Sequence, residues 1–300
     1  MAETVAPSVR PVQVEQEKPR GYWEDTLRQL LRHRVGMLGV VLVGILIVIG
    51  VLGPYLAPYD PNAIDARARF APPSAAHWLG ADDFGRDILS RIMHGARVSL
   101  QVGAIAVGIA ATVGSLLGLV AGYAGRLLDE VIMRAMDVLF AFPAILLAIA
   151  ILAALGKGVA NAMIAIGIVY IPIFARIARS SVLTIREEEF IEAARSCGAT
   201  DGRILFRHIL PNAMAPLIVE TTLSLAFAIL AEAALSFFGL GVQPPDASWG
   251  RMLSEGRAYF QQSVWMALFP GLAIMLTVMG FNFLGDGLRD AMDPSLRGKR

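Results

Sequence analysis

The stretch VGMLGVVLVGILIVIGVLGPYLA, Val35 to Ala57, is 23 residues long and carries no charged side chain. About 20 such residues suffice for a helix to cross the ~30 Å hydrocarbon layer of a bilayer. Arg28, Arg32 and Arg34 precede it, as they would in a signal peptide, but the polar leader of more than 30 residues and the full spanning length point to an uncleaved first span. The same search finds five further apolar runs with two charged residues or fewer: Val98 to Gly125, Val131 to Leu155, Val159 to Leu183, Ala213 to Leu240 and Val264 to Leu284. The chain therefore reads as an all-α, polytopic bundle of six transmembrane helices.

Composition agrees. Of the 300 residues, 56% are hydrophobic and 17% charged, with a mean hydropathy of +0.59. A soluble domain averages roughly 45–50% and about 25%, so a cytosolic enzyme, a fibrous repeat and a disordered chain are excluded. A net charge of +1 offers no field for nucleic acid. Cys197 is the sole cysteine, which rules out an internal disulfide and a Cys-rich metal clamp; a buried, inert thiol is expected.

Lys and Arg placement sets the orientation. With the N-terminus inside, 18 of the 26 basic residues fall on inner segments and eight on outer ones, so both termini are expected to be cytoplasmic. The resulting plan has five parts. Residues 1–34 form a cytoplasmic tail, with Trp23, Leu27, Leu30 and Leu31 on a short surface helix. Residues 35–57 are the first span, 58–97 an extracytoplasmic loop, 98–289 the core of five spans, and 290–300 a second cytoplasmic tail.

Within the second span Ala106, Ala110, Gly114, Gly118 and Gly122 recur every four residues, a stripe that admits close helix packing inside the bundle. Pro143, Pro172, Pro216 and Pro270 interrupt four spans, where neighbouring helices can satisfy the freed carbonyls. Arg134 and Asp137 suggest a local pair. Two acids lie in the fifth span, Glu220 and Glu232, 12 residues or about 18 Å apart and about 120° around the helix. Ionisable residues at such depth point either to a translocation pathway or to pairing inside the bundle.

The polar segment 184–212 is patterned. Phe190, Ala193, Ala194 and Cys197 share one helical face; Gly198 reads as a stop, Thr200 or Asp201 as a new cap. Ile204, Leu205, His208 and Ile209 form a second apolar face, which Leu210 and Pro211 are expected to end. Two short amphipathic helices joined at a glycine make a compact knob, suited either to the chain's own spans or to a partner's groove.

These residues carry a resemblance. Glu192-Ala193-Ala194, then Gly198, then His208-Ile209-Leu210-Pro211 is similar to the cytoplasmic EAA loop of the permease subunits of bacterial ABC importers. His208 departs from the broad pattern, which has an apolar residue there, but the run Arg207 to Asn212 resembles the peptide-uptake branch. Trp78 to Asp87, Leu235 to Pro245 and Asn282 to Pro294 agree with that branch, and the likeness covers residues 25–295.

The resemblance implies a type I importer permease fold and the role of a C-type dipeptide, oligopeptide or nickel permease. Such a subunit pairs with a homologous second permease, two cytoplasmic ATPases and an extracytoplasmic solute-binding protein in the inner membrane. It implies that Glu192, Ala193, Ala194, Arg195, Gly198, Leu210 and Pro211 couple to an ATPase: Glu192 as an ionic or capping contact, Gly198 as the sharp turn, the alanines small because the groove is close. ATP and Mg would be bound by the partners and none by this chain. The residues agree, since Lys18, Lys157 and Lys299 are the only lysines and none sits in a phosphate loop. No catalytic elbow or His-Glu-x-x-His pair is present either.

A metal reading of His77, Asp82, Asp83, Asp87 and His94 competes with a simpler one, in which Asp82 or Asp83 caps a short helix near Phe84 with Arg86 and Arg91 as counter-charges; no metal site is expected. Peptide is the expected substrate, with nickel, glutathione or another small solute as alternatives. A secondary transporter or channel is the rival class, but six spans without an evident repeat and a patterned inner loop argue against it.

Overall fold

A computed structural model describes residues 22–292, and every regular element among them is helical. Helix α1 (Tyr22–Arg32) places Glu24 and Asp25 in its first turn and Arg32 in its last, complementing the helix dipole. Leu30 is buried against Gly36 and Gly287, whereas Leu27 and Leu31 are exposed. His33 ends the helix and starts the next: its Nδ1 accepts from the Gly36 amide at 3.0 Å. Residues 1–21 and 293–300, and with them most of both tails read from the sequence, lie outside the described residues.

Helix α2 (Arg34–Leu56) matches the first span almost residue for residue. A loop with a 3-10 turn at Ala66–Ala68 then leads to Asp87, whose Oδ2 accepts from the Ser90 amide at 2.8 Å and caps α3 (Ile88–Ala124). The second span thus starts ten residues before Val98, and the loop ends at 87 rather than 97. The apolar run stops at Arg97, and Arg91 lies beyond it inside the helix, where its side chain is 1% exposed among acids. Asp87, not Asp82 or Asp83, is the cap, and no separate helix begins at Phe84.

The third span is broken. α4 (Arg126–Phe140) and α5 (Ala144–Leu155) meet at 94° across residues 141–143, so six spans result only if this pair counts as one. Pro143 carried that signal, and the limbs differ in composition, since α4 holds Arg126, Asp129, Glu130, Arg134 and Asp137 while α5 holds no charged residue. Nor do Arg134 and Asp137 pair. Arg134 reaches Glu130 at 3.9 Å, and Asp137 takes Arg176 of the next helix at 2.8 Å.

The remaining elements are α6 (Val159–Ile185), α7 (Glu189–Ser196), α8 (Asp201–Phe237), α9 (Trp249–Ala258) and α10 (Trp265–Met292). Helix α8 does not end at Leu210 and Pro211. A π-helical stretch, Ile204–Ile209, runs into the α-helix from Leu210, with Pro211 beside its start. Proline clashes with the carbonyl four residues back in a regular helix; the widened turn just before it relieves that clash, and the Asn212 side chain donates to the His208 carbonyl at 2.6 Å.

The small-residue stripe packs as expected. Gly114 meets Phe174 and the Ile171 carbonyl, Gly118 meets Ala175 and Ala178, and Gly122 meets Val182, so α3 and α6 touch backbone to backbone. Gly39 of α2 seats on Phe283 and Leu284 of α10 in the same way. Pro172, Pro216 and Pro270 all lie within continuous helices.

Candidate coupling surface and pathway

Helix α7 is closed at its C-terminus by backbone alone. The Gly198 amide donates to the Arg195 carbonyl at 2.9 Å and the Ala199 amide to that of Ala194 at 3.1 Å, while Gly198 takes φ +78°. This pair of bonds is the Schellman stop, which favours glycine because an L side chain resists positive φ. Two residues on, the Thr200 hydroxyl accepts from the Arg203 amide at 3.4 Å and starts α8.

The first apolar face of this segment points the other way from a buried one. Ile191 is fully buried, but Phe190, Ala193 and Cys197 are exposed and Ala194 is half-buried. Cys197 is therefore an exposed thiol, not a buried one. Periodicity identifies an apolar stripe but not the surface it meets, and among the described residues most of it is uncovered. The second face turns inward as expected, with Ile204, Leu205 and Ile209 buried. Phe206, absent from the sequence reading, stands 55% exposed, and Phe190 is 43% exposed.

Glu192, Arg195 and Pro211 are exposed and Leu210 half-buried. The knob is tied down at two points. Asp201 accepts from the Tyr123 hydroxyl at 2.6 Å, with the Arg195 guanidinium 6.0 Å from the Tyr123 ring, and Arg186 donates to the Gly122 carbonyl at 3.1 Å. Both anchors sit at the end of α3, the helix that packs against α6.

The two acids of α8 differ. Glu232 is 1% exposed; Ser236 donates to Oε1 at 2.7 Å and Ser99 of α3 to Oε2 at 3.3 Å. Glu220 is half-buried and receives only the Ser224 hydroxyl, at 2.9 Å on Oε1. Further along α8 a cavity of about 330 Å³ opens between α5, α6 and α8, lined by Ala144, Ile145, Tyr170, Phe227 and Ala231.

At the opposite end of the bundle the metal-like residues separate. His77 pairs with Asp87 at 3.0 Å and His94 with the Ser90 carbonyl at 2.9 Å. Asp82 instead meets Arg86 at 2.6 Å and Arg91 at 3.6 Å, and Glu255 of α9 meets both arginines at 3.4 and 3.6 Å. Asp82, Asp83 and Glu255 could converge on a cation, but Asp82 Oδ1 already accepts the Phe84 and Arg86 amides and Oδ2 the Arg86 guanidinium. Two arginines occupy the place of the ion. Arg86 and Arg91 are thus the expected counter-charges; Glu255 was missed, though the Arg251 and Glu255 spacing behind the Ser248 cap was a helix signal.

Burial, then the neighbouring charges of Asp82 and Glu255, hold the Asp83 carboxyl above its ordinary value, against Arg86 and a backbone hydrogen bond. A raised carboxyl pKa means the folded state binds the proton more tightly, so this group adds stability as pH falls and removes it as pH rises through the folded value. Asp83→Asn is expected to raise the thermal midpoint in detergent at pH 8 and to leave it nearly unchanged near pH 4. A midpoint that drops at pH 8 would refute this.

Comparison with known proteins fits this architecture. Residues 114–298 match the binding-protein-dependent transport system inner membrane component family, and residues 21–73 the N-terminal TM domain of oligopeptide transport permease C. The dipeptide transport system permease protein DppC of Alkalihalophilus pseudofirmus is 50% identical over 275 residues, 92% of this chain and 90% of that protein. The glutathione transport system permease protein GsiD of Pectobacterium atrosepticum is 48% identical over 276 residues, 92% of each chain. Among solved structures, an inward-facing form of the MetNI methionine ABC transporter superposes with a TM-score of 0.55 at 19% identity, covering 67% of this chain and 96% of that one, a likeness of fold alone. With a family match over more than half its length and relatives near 50% identity across nine-tenths of it, the chain belongs to the binding-protein-dependent transport system inner membrane components, as a C-type permease subunit of an ABC importer.

Proposed function

We propose that this subunit forms half of the membrane pathway for short peptides, glutathione included, and receives its driving force through the surface built by α7 and the start of α8. The observation that carries the reading is the pair of exposed phenylalanines, Phe190 and Phe206, on a knob whose Ile191, Ile204, Leu205 and Ile209 are buried in the bundle. Exposed aromatic residues ringed by Glu192, Arg195 and Arg207 are what a partner's groove receives. Gly198 sets the angle between the two helices, and Ala193 and Ala194 let the partner approach. The basic-residue asymmetry puts this knob, and both termini, in the cytoplasm. There two ATPase subunits would bind ATP and Mg, while a second permease completes the pathway and a solute-binding protein delivers substrate outside. The peptide assignment rests on the names of the relatives.

A purification from detergent through a C-terminal tag tests the assembly. Recovery of a second permease and two ATPases with a phosphate loop, with vanadate-sensitive ATPase activity, is the expected result. A chain that purifies alone and is indifferent to ATP would shift the reading to a secondary transporter.

A further inference from the structure

Resting on the peptide reading above, we propose that Glu220 is the point at which the pathway holds the protonated amino group of its substrate. Among the described residues helix α8 leaves one stripe partly open. Pro216, Phe227 and Leu230 on it are exposed and Glu220 is half-open. Seven residues at about 100° each bring Phe227 to within about 20° of the line of Glu220, one step of roughly 10 Å along the helix. Phe227 and Ala231 line the 330 Å³ cavity with Tyr170. Glu220 thus lies about two helical turns, roughly 10 Å, from the part of α8 that lines this apolar chamber.

Its chemistry is unfinished. Oε1 takes the Ser224 hydroxyl, and among the described residues Oε2 has no hydrogen-bond donor. The arginines of α6 cannot serve, because Arg176 is engaged with Asp137 and Arg179 with Asp129. Glu232 supplies the contrast on the same helix, since both its oxygens are held by serines and its side chain is closed off. An acid inside a span with an open oxygen and no cation calls for one. A free peptide amine is such a cation: compact, a donor in three directions, and attached to the apolar or small side chains the chamber would take. In surroundings of low dielectric the ion pair is strong enough to orient the peptide, while a single exposed contact still lets it leave.

The test uses the complete importer in proteoliposomes, with dialanine as the probe. Glu220→Gln keeps the size of the side chain and the acceptor for Ser224. Its maximal dialanine uptake is expected to fall at least tenfold, with recovery of all subunits and the ATPase stimulation by loaded binding protein unchanged; Glu220→Asp should restore part of the loss. Wild-type uptake in Glu220→Gln overturns the inference. Loss of the second permease from the Glu220→Gln complex also overturns it, by assigning the acid to a base in that subunit. A wild-type importer that binds its partners but moves neither dialanine nor glutathione overturns the peptide reading itself, an outcome distinct from both.

Discussion

Gly198→Pro abolishes uptake while membrane insertion and subunit recovery persist: that is the expected outcome, and the geometry gives its size. Proline fixes φ near −65°, whereas Gly198 sits at +78° and donates its amide to the Arg195 carbonyl. The substitution removes that bond and reverses the turn, so α7 can no longer stand at its present angle to α8. No atom lies within 4 Å of the position a side chain would take at Gly198, so crowding plays no part. Gly198→Ala should consequently give an intermediate loss, since an L residue in the left-handed region costs about 1–2 kcal/mol. Uptake assays with ATPase measurements on the same membranes decide the matter. ATPase activity that no longer responds to loaded binding protein is expected, and unchanged uptake in the proline variant would refute the coupling role of this loop.

Arg91→Leu is the second large effect, and it concerns stability. Arg91 is enclosed by Asp82, Glu255 and Arg86, and its Nη1 donates to the Pro61 carbonyl at 3.1 Å, holding the 57–87 loop onto the bundle. Removing one partner from a buried charge cluster costs typically about 3–5 kcal/mol, because the opposite charges stay behind unpaired. The variant is expected to lose much of its thermal resistance in detergent and to be cleaved by protease within the loop. Arg91→Leu with Glu255→Gln should recover part of the loss, since it withdraws an orphaned charge. Equal stability of the single variant and the wild type would show that Arg86 alone suffices.

These predictions draw unequally on sequence and structure. The Gly198 turn was legible: a glycine after an amphipathic segment, followed by a capping threonine, is a local pattern, and local hydrogen bonds make the motif. The exposed side of α7 was not. Phe190, Ala193, Ala194 and Cys197 announce a face through their spacing, but Ile191, one residue along, is the side chain the bundle takes. A short helix with apolar residues on two sides can dock by either, and only the neighbours decide. The Arg91 cluster was half legible. The acids and arginines of 82–91 suggested mutual neutralisation, but Glu255 comes from a helix more than 160 residues away.

What the sequence by itself determined is what depends on short-range chemistry: the helical class, the approximate spans, the close-packing stripe of α3, the capped joints of the knob, and the motifs of its family. A bilayer enforces this legibility, because every span must satisfy its own backbone and advertise the fact in apolar composition. What only the tertiary structure decided is where that composition is silent. The 94° break in the third span, the passage of α8 through Pro211 and the start of α3 at a buried arginine all place chain against chain rather than chain against lipid. So does the difference between Glu232, closed by serines from two helices, and Glu220, left open: the same residue type on one helix, distinguished only by what packs against it.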